Sequence, residues 1–289
     1  MEFIDILKMD RTNDPDIVRT HGSDHRCIIS VPHSGTLIPA HLLDHYEKGR
    51  KLLVDTDLYT DELHACDFGT SILFSVAPYV VNVSRARQGI QGTGIPAHLQ
   101  KDPLHTGSLL GGGVLMREHT AAQKRLLMDW YDRFHEALLS AIKKMQEEKG
   151  YALLFDGHSL LSKGLKNTPD EGKERADFIV GTLGGSSADT RLTDFFIGQL
   201  QEQARRFGWT VSVDTPYKGG FITQHYADPE AAVHVFQIEV KRKLYLHEAF
   251  YEALPGEYER KKEGITDVHE VLATAYKNTA DAAAKILGH

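Results

Sequence analysis

The chain of 289 residues is 41% hydrophobic and 25% charged with a formal net charge of −7, proportions that suit a soluble globule of one large α/β domain or two small ones. The acidic balance leaves no basic footprint for nucleic acid, and no apolar run approaches the ~18 residues that a membrane span needs. The start, Met1 to Asp5, has neither the basic nor the apolar region of a secretory leader, so a cytoplasmic location is expected.

Residues 1–26 are polar and irregular, with room for one edge strand and a loop. Cys27–Val31 reads as a buried strand that runs into Pro32-His33-Ser34-Gly35. Pro39 to about Leu53 reads as a helix and a connection. Asp and Thr before a helical apolar spacing place the next helix start near Thr56 or Asp57. Thr70–Val76 and Tyr79–Val83 read as two strands around Pro78, the second leading into Ser84-Arg85-Ala86-Arg87. Gln88–Gly113 is rich in Gly, Pro and His and lacks periodicity, as a functional or disordered loop does. From Arg117 to about Glu148 the stripe Leu126, Leu127, Trp130, Phe134, Leu138 and Ile142 predicts a long amphipathic helix, on which His135 reads as structural.

Tyr151–Phe155 is expected to be a buried parallel strand, ending at Asp156-Gly157-His158-Ser159. A polar loop at 162–175, a strand at Asp177–Gly181 and a helix at Leu192–Phe207, stopped by Gly208, follow. Then come a strand at Trp209–Val213, a glycine turn at Pro216–Thr223 and a strand at His234–Val240. The rest is helical from Leu246, the last helix covering about Val268 to Leu287. Strands alternating with helices predict a mixed, largely parallel sheet between helices. The expected layout is one α/β domain over 1–289, with its core at about 25–250 and C-terminal helices at about 246–289. The two cysteines, Cys27 and Cys66, read as buried free thiols.

Two buried strands each deliver a histidine, His33 and His158, at their C-terminal ends, where open α/β sheets bind ligands. Glu239 stands in an otherwise apolar strand, where a carboxylate is costly unless paired or bound. Two histidines and an acid far apart in sequence point to a site that the sheet assembles. The plainer readings are a turn with an idle histidine, and an ion pair of Glu239 with Lys241 or Arg242.

Six blocks in order resemble the N-formylglutamate amidohydrolases: Val31–Pro39, Asp55–Asp57 with Asp61–Leu63, Val80–Arg85, Phe155–Ser159, Pro216–Thr223 and Phe236–Glu239. That family is distantly similar to the zinc carboxypeptidases and aspartoacylases. The resemblance implies a zinc-exopeptidase-like fold and one zinc ion, with His33 and His158 as ligands and Glu239 as general base. Three protein ligands, one open position and a nearby free acid are what zinc-assisted amide hydrolysis requires. The distant relatives place a Glu ligand three residues after the first His, where this chain has Thr36. Asp55-Thr56-Asp57 is the replacement source. Asp57 is preferred as the residue opening the predicted helix, with Asp55 and then Glu62 as alternatives and helix capping as the reading without metal.

The family usually shows Asp-x-Asn-Arg where this chain has Asn82-Val83-Ser84-Arg85. Arg85 is then the expected partner of a substrate carboxylate, Arg87 of a second, unless either forms a surface ion pair. Tyr217 and Lys218, beside Gly219 and Gly220, are expected to face the substrate, against a plain hairpin turn. The implied reaction is hydrolysis of N-formyl-L-glutamate, a small acidic N-acyl amino acid, to formate and glutamate at the end of a histidine-degradation route. The rivals are an amidohydrolase of another N-acyl amino acid or small peptide, and a non-catalytic binding protein. A nucleotide-binding protein would need a glycine-rich phosphate loop that is missing.

Overall fold

Seven strands pair into one sheet in the computed structural model, which describes residues 17–22, 24–46, 55–90, 100–105, 107, 115–166, 168, 170–248 and 261–289. The strands are β1 (Val18–His21), β2 (Ile28–Val31), β3 (Thr70–Phe74), β4 (Ala152–Leu160), β5 (Phe178–Gly181), β6 (Val211–Val213) and β7 (Val233–Lys241). Their order across the sheet is β1-β3-β2-β4-β7-β5-β6. β2–β3, β2–β4, β4–β7 and β5–β6 are parallel, while β1–β3 and β5–β7 are antiparallel. The sheet is therefore mixed and largely parallel, as expected. β4 is buried along all nine residues, and its first half, Ala152–Phe155, reads as a continuous apolar run and not as an alternation.

The long helix α2 (Ala121–Lys149) starts from a capping box, Thr120 with Gln123. It lays Leu127, Trp130, Phe134, Leu138 and Ile142 on one face of the sheet, where Phe134 meets Phe74 at 5.7 Å. Helices α3 (Thr190–Arg205) and α5 (Lys262–Leu287) cover the other face. There Phe155 stacks on Tyr276 at 4.3 Å and meets Phe196 at 5.0 Å. Each such buried aromatic contributes about 1.5–3 kcal/mol. No helix among the described residues is long and apolar enough to cross a membrane. Cys27 and Cys66 are free, the first buried and the second half-buried.

Several local expectations are corrected. Tyr79–Val83 is a buried turn: Val80 N–H bonds back to Ala77 O, and Asn82 N–H is taken by Pro103 O. Its apolar run reflects burial inside a connection, not a strand. The helix expected from Pro39 is a 3-10 turn, Ala40–His45. Asp57 does not open a helix. The four-residue α1 starts later, at Thr60 (Thr60–Leu63). β4 does not end at Phe155 but continues through the histidine to Leu160. Gly219 and Gly220 lead not into a hairpin but into the short α4 (Phe221–Tyr226). Most of the Gly/Pro/His-rich stretch, and residues 249–260 of the expected C-terminal helices, lie outside the described residues.

Candidate active site

Two neighbouring strands and one turn bring the first residues together. β2 ends at Val31, so His33 stands just past its C-terminal edge, and His158 lies within the adjacent β4. Asp57 is tied in by its main chain. Its N–H donates to His33 O at 2.9 Å, and its carbonyl accepts from Thr60 N–H and, at 2.6 Å, from Thr60 Oγ1. The carboxylate then meets both imidazoles. Asp57 Oδ2 lies 3.5 Å from His33 Nδ1 and 3.2 Å from His158 Nδ1, and the rings stand edge-to-face at 4.9 Å. One ligand atom from each of the three residues falls within 4.8 Å of the others.

Every member of this cluster is held from behind. His33 Nε2–H donates to Asn82 Oδ1 at 2.9 Å, and that oxygen also accepts Ser84 N–H. His158 Nε2–H donates to Asp156 Oδ2 at 3.1 Å, while Asp156 Oδ1 accepts from Ser30 Oγ at 2.8 Å. With both Nε2 atoms engaged, both Nδ1 atoms turn toward Asp57 Oδ2. The other Asp57 oxygen accepts from the Arg242 guanidinium at 2.7 Å and from Ser159 Oγ at 3.1 Å. This outer layer, with the second ring nitrogen of each histidine on an oxygen acceptor, is the support that metal-ligating histidines have. Burial opposes ionisation of Asp57, but hydrogen bonds with His158 and His33 and the charge of Arg242 outweigh it and hold the carboxyl well below its usual range. Burial likewise opposes a charge on His158, and its neighbours Asp156 and Asp57 push its pKa well above the usual value. The second face of β4 is closed by His64, whose ring lies against Gly157. A Cβ on that glycine would come within 2.6 Å of His64 Cγ.

Glu239 is the cross-strand partner of His158 in the β4–β7 register and shares its side of the sheet. Its Oε1 accepts from Gln237 Nε2 at 2.9 Å. The basic residues after it are used elsewhere. Lys241 pairs with Glu174 at 3.0 Å and Asp177 at 3.2 Å, and Arg242 with Asp57. The ion-pair reading of Glu239 with either is thereby corrected. Burial pushes the Glu239 carboxyl up to about 7.

The model of the N-formylglutamate amidohydrolase family matches residues 25–246, a span that holds every residue of this cluster. The chain belongs to that family. It is 29% identical over 238 residues to the N-formylglutamate deformylase of Pseudomonas putida, covering 76% of this chain and 82% of that one. To the enzyme of the same name from Pseudomonas aeruginosa it is 32% identical over 233 residues, with the same coverage. The crystal structure of N-formylglutamate amidohydrolase from Ralstonia eutropha JMP134 superposes with a TM-score of 0.75 at 20% identity, over 91% of this chain and 97% of that one, which shows a common fold.

The remaining family positions are less uniformly placed. Arg85 is half-buried, and its guanidinium donates to His105 O at 3.3 Å and Asp102 O at 3.4 Å. Arg87 pairs with Asp132 on the exposed side of α2. Tyr217 OH accepts from Arg175 at 3.2 Å, with that guanidinium 5.3 Å above the ring. Arg175 itself, 7% exposed, is held by both oxygens of Asp170. Lys218 is exposed, and its carbonyl accepts Leu183 N–H. Of the three acids weighed as ligand, Asp57 alone joins the histidines. Asp55 lies toward Arg85 and Lys101, and Glu62 is exposed on α1. Sequence reasoning assigned no role to Ser30, Asn82, Asp156, Ser159 or Gln237. Asp156 had a signal, since a strand's period of two puts it on the same side as His158.

Proposed function

We propose that this protein is a zinc-dependent amidohydrolase that cleaves N-formyl-L-glutamate, the substrate its relatives are named for, to formate and L-glutamate at the end of a histidine-degradation route. The observation that carries the reading is the cluster of half-buried His33 with buried Asp57 and His158 beside a half-buried Glu239. A tetrahedral ion with bonds of about 2.0–2.2 Å has ligand atoms roughly 3.3–3.5 Å apart. The separations of 3.2 and 3.5 Å around Asp57 Oδ2 suit it, as does a set of two imidazoles and one carboxylate. A zinc ion held there supplies Lewis-acid polarisation of the formyl carbonyl and a water acidic enough to attack it near neutral pH.

The chain's own groups do the rest. Glu239 accepts the water proton and returns it to the departing amine as the C–N bond breaks, and a carboxyl titrating near neutrality suits both steps. Asn82 and Asp156 hold the imidazoles with Nδ1 forward. Arg85 is the proposed anchor for a glutamate carboxylate, with Tyr217 and Lys218 flanking the substrate. The pairing of Arg87 with Asp132 supports the surface role for that arginine.

Formate release from N-formyl-L-glutamate tests this, with metal content measured before and after chelation. Activity should disappear with the zinc, return on its addition, and be absent together with the metal in His33→Ala and His158→Ala. Full turnover by metal-free protein would end the zinc reading. The changes at Asn82 and Ser84 favour one second reading, another N-acyl amino acid as substrate. A panel of N-formyl, N-acetyl and N-succinyl amino acids decides between them.

A further inference from the structure

Gln237 stands two residues before Glu239 in β7, so both side chains share a face of the sheet. It is 6% exposed, and both ends of its amide are used. Oε1 accepts the main-chain N–H of Gly220, and Nε2 donates to Glu239 Oε1 at 2.9 Å. The amide has only one sensible orientation. Gly220 N–H is a donor and must face the oxygen, which leaves the NH2 group for the carboxylate. Glu239 Oε2 takes no hydrogen bond from any described residue and is not sealed in the interior.

The support behind the amide is stiff. Gly219 has φ +133°, and a Cβ there would come within 2.9 Å of the Leu183 side chain. A Cβ on Gly220 would meet Gln237 Oε1 at 3.1 Å. The turn before α4 is therefore wedged between the loop after β5 and the glutamine. The cross-strand neighbour Asp156 makes no demand on Gln237, because its oxygens are occupied by Ser30 and His158.

We infer that Gln237 is a positioning residue for the proton-accepting carboxylate: it pins Oε1 of Glu239 and leaves Oε2 to face the reacting water. This rests on the reading of Glu239 as general base. The competing role is a purely structural tie between the glycine turn and the sheet.

Two variants separate these roles. Gln237→Glu keeps an acceptor for Gly220 N–H and, once ionised, offers no donor to Glu239, so its turnover is followed up to alkaline pH, where the two carboxyls no longer share a proton. Gln237→Met keeps the length and loses both bonds. Each is assayed for formate release from N-formyl-L-glutamate and for zinc content, with Glu239→Gln alongside. Both Gln237 variants should lose at least about tenfold in kcat, with KM within about twofold of wild type and zinc retained. Wild-type turnover in Gln237→Glu overturns the inference, as does loss of zinc from either variant. Should Gln237→Glu fail to fold, wild-type turnover in Gln237→Met overturns it equally. An inactive Glu239→Gln beside a fully active Gln237→Glu removes only the role of Gln237. A fully active Glu239→Gln removes the base reading itself.

Discussion

Arg242→Met isolates the charge that holds Asp57. The arginine is 2% exposed and reaches Asp57 Oδ1 at 2.7 Å and Ser159 Oγ at 3.0 Å. Methionine keeps most of the apolar stem and deletes the guanidinium. Removing one member of a buried pair typically costs about 3–5 kcal/mol, because the other charge is left without compensation. Asp57 retains Ser159 and two histidines, which places the expected loss at the lower end, about 3 kcal/mol. That is roughly a hundredfold in the unfolding equilibrium, and a large part of the ~5–15 kcal/mol of a typical domain. Guanidinium denaturation of chelator-treated protein, followed by circular dichroism, should show the midpoint falling accordingly. Saturating zinc should narrow the gap between variant and wild type if the ion binds as proposed, since it would supply the missing positive charge beside Asp57. An unchanged midpoint in metal-free Arg242→Met would refute the reasoning. A loss just as large with zinc bound would mean that the arginine acts by packing and not by charge.

Arg85→Lys should raise KM for the acidic substrate by about 10–100-fold, the worth of a charged hydrogen-bonded contact, with little change in kcat. Unaltered steady-state kinetics would make Arg85 a brace for the carbonyls of Asp102 and His105. Gly157→Ala should cost about 1–3 kcal/mol by forcing His64 and β4 apart. A thermal melt superimposable on wild type would show that His64 can yield. His135, between Tyr226 OH at 2.8 Å and Val83 O at 3.0 Å, is held neutral by burial, which lowers its pKa to about 4. Its stabilisation is complete above the unfolded pKa of about 6.5 and is lost as pH falls toward 4, at up to about 1.4 kcal/mol per pH unit. Denaturation midpoints at pH 7, 6 and 5 should fall less steeply in His135→Gln than in wild type, and parallel slopes would count against it.

The parts of this site that sequence made legible are those that local pattern encodes. Short apolar runs located β2, β4 and β7; His33 and His158 follow the first two runs, and Glu239 stands out as an acid inside the third. Asp57 was reached by way of a helix start that is not there. Asp57 meets the histidines because the turn fixes its backbone through Thr60 and His33, not because a helix aims it. Arg242 was noticed only as a neighbour of Glu239, but it comes after the strand has ended and reaches Asp57, 185 residues earlier. Asn82 sits in a run whose apolar character looked like a strand. No periodicity reveals a buried turn that presents one amide to a histidine. Such outer contacts depend on where distant segments meet, and a single sequence carries no local trace of that.

The position of β7 bears on how the chain is made. It is last of the seven strands in sequence, yet it lies inside the sheet, between β4 and β5. Until residues 233–241 leave the ribosome, β5 and β6 have no attachment to the other strands, and β4 and β5 each present an open edge. Unpaired edges of that kind are templates for association with other chains. The nascent protein therefore carries those open edges from the synthesis of β5 until that of β7, and Asp57 waits for its arginine until the same late segment arrives. Truncation before Val233 should yield aggregate and not a smaller folded unit. In refolding, zinc uptake should recover with the slowest phase.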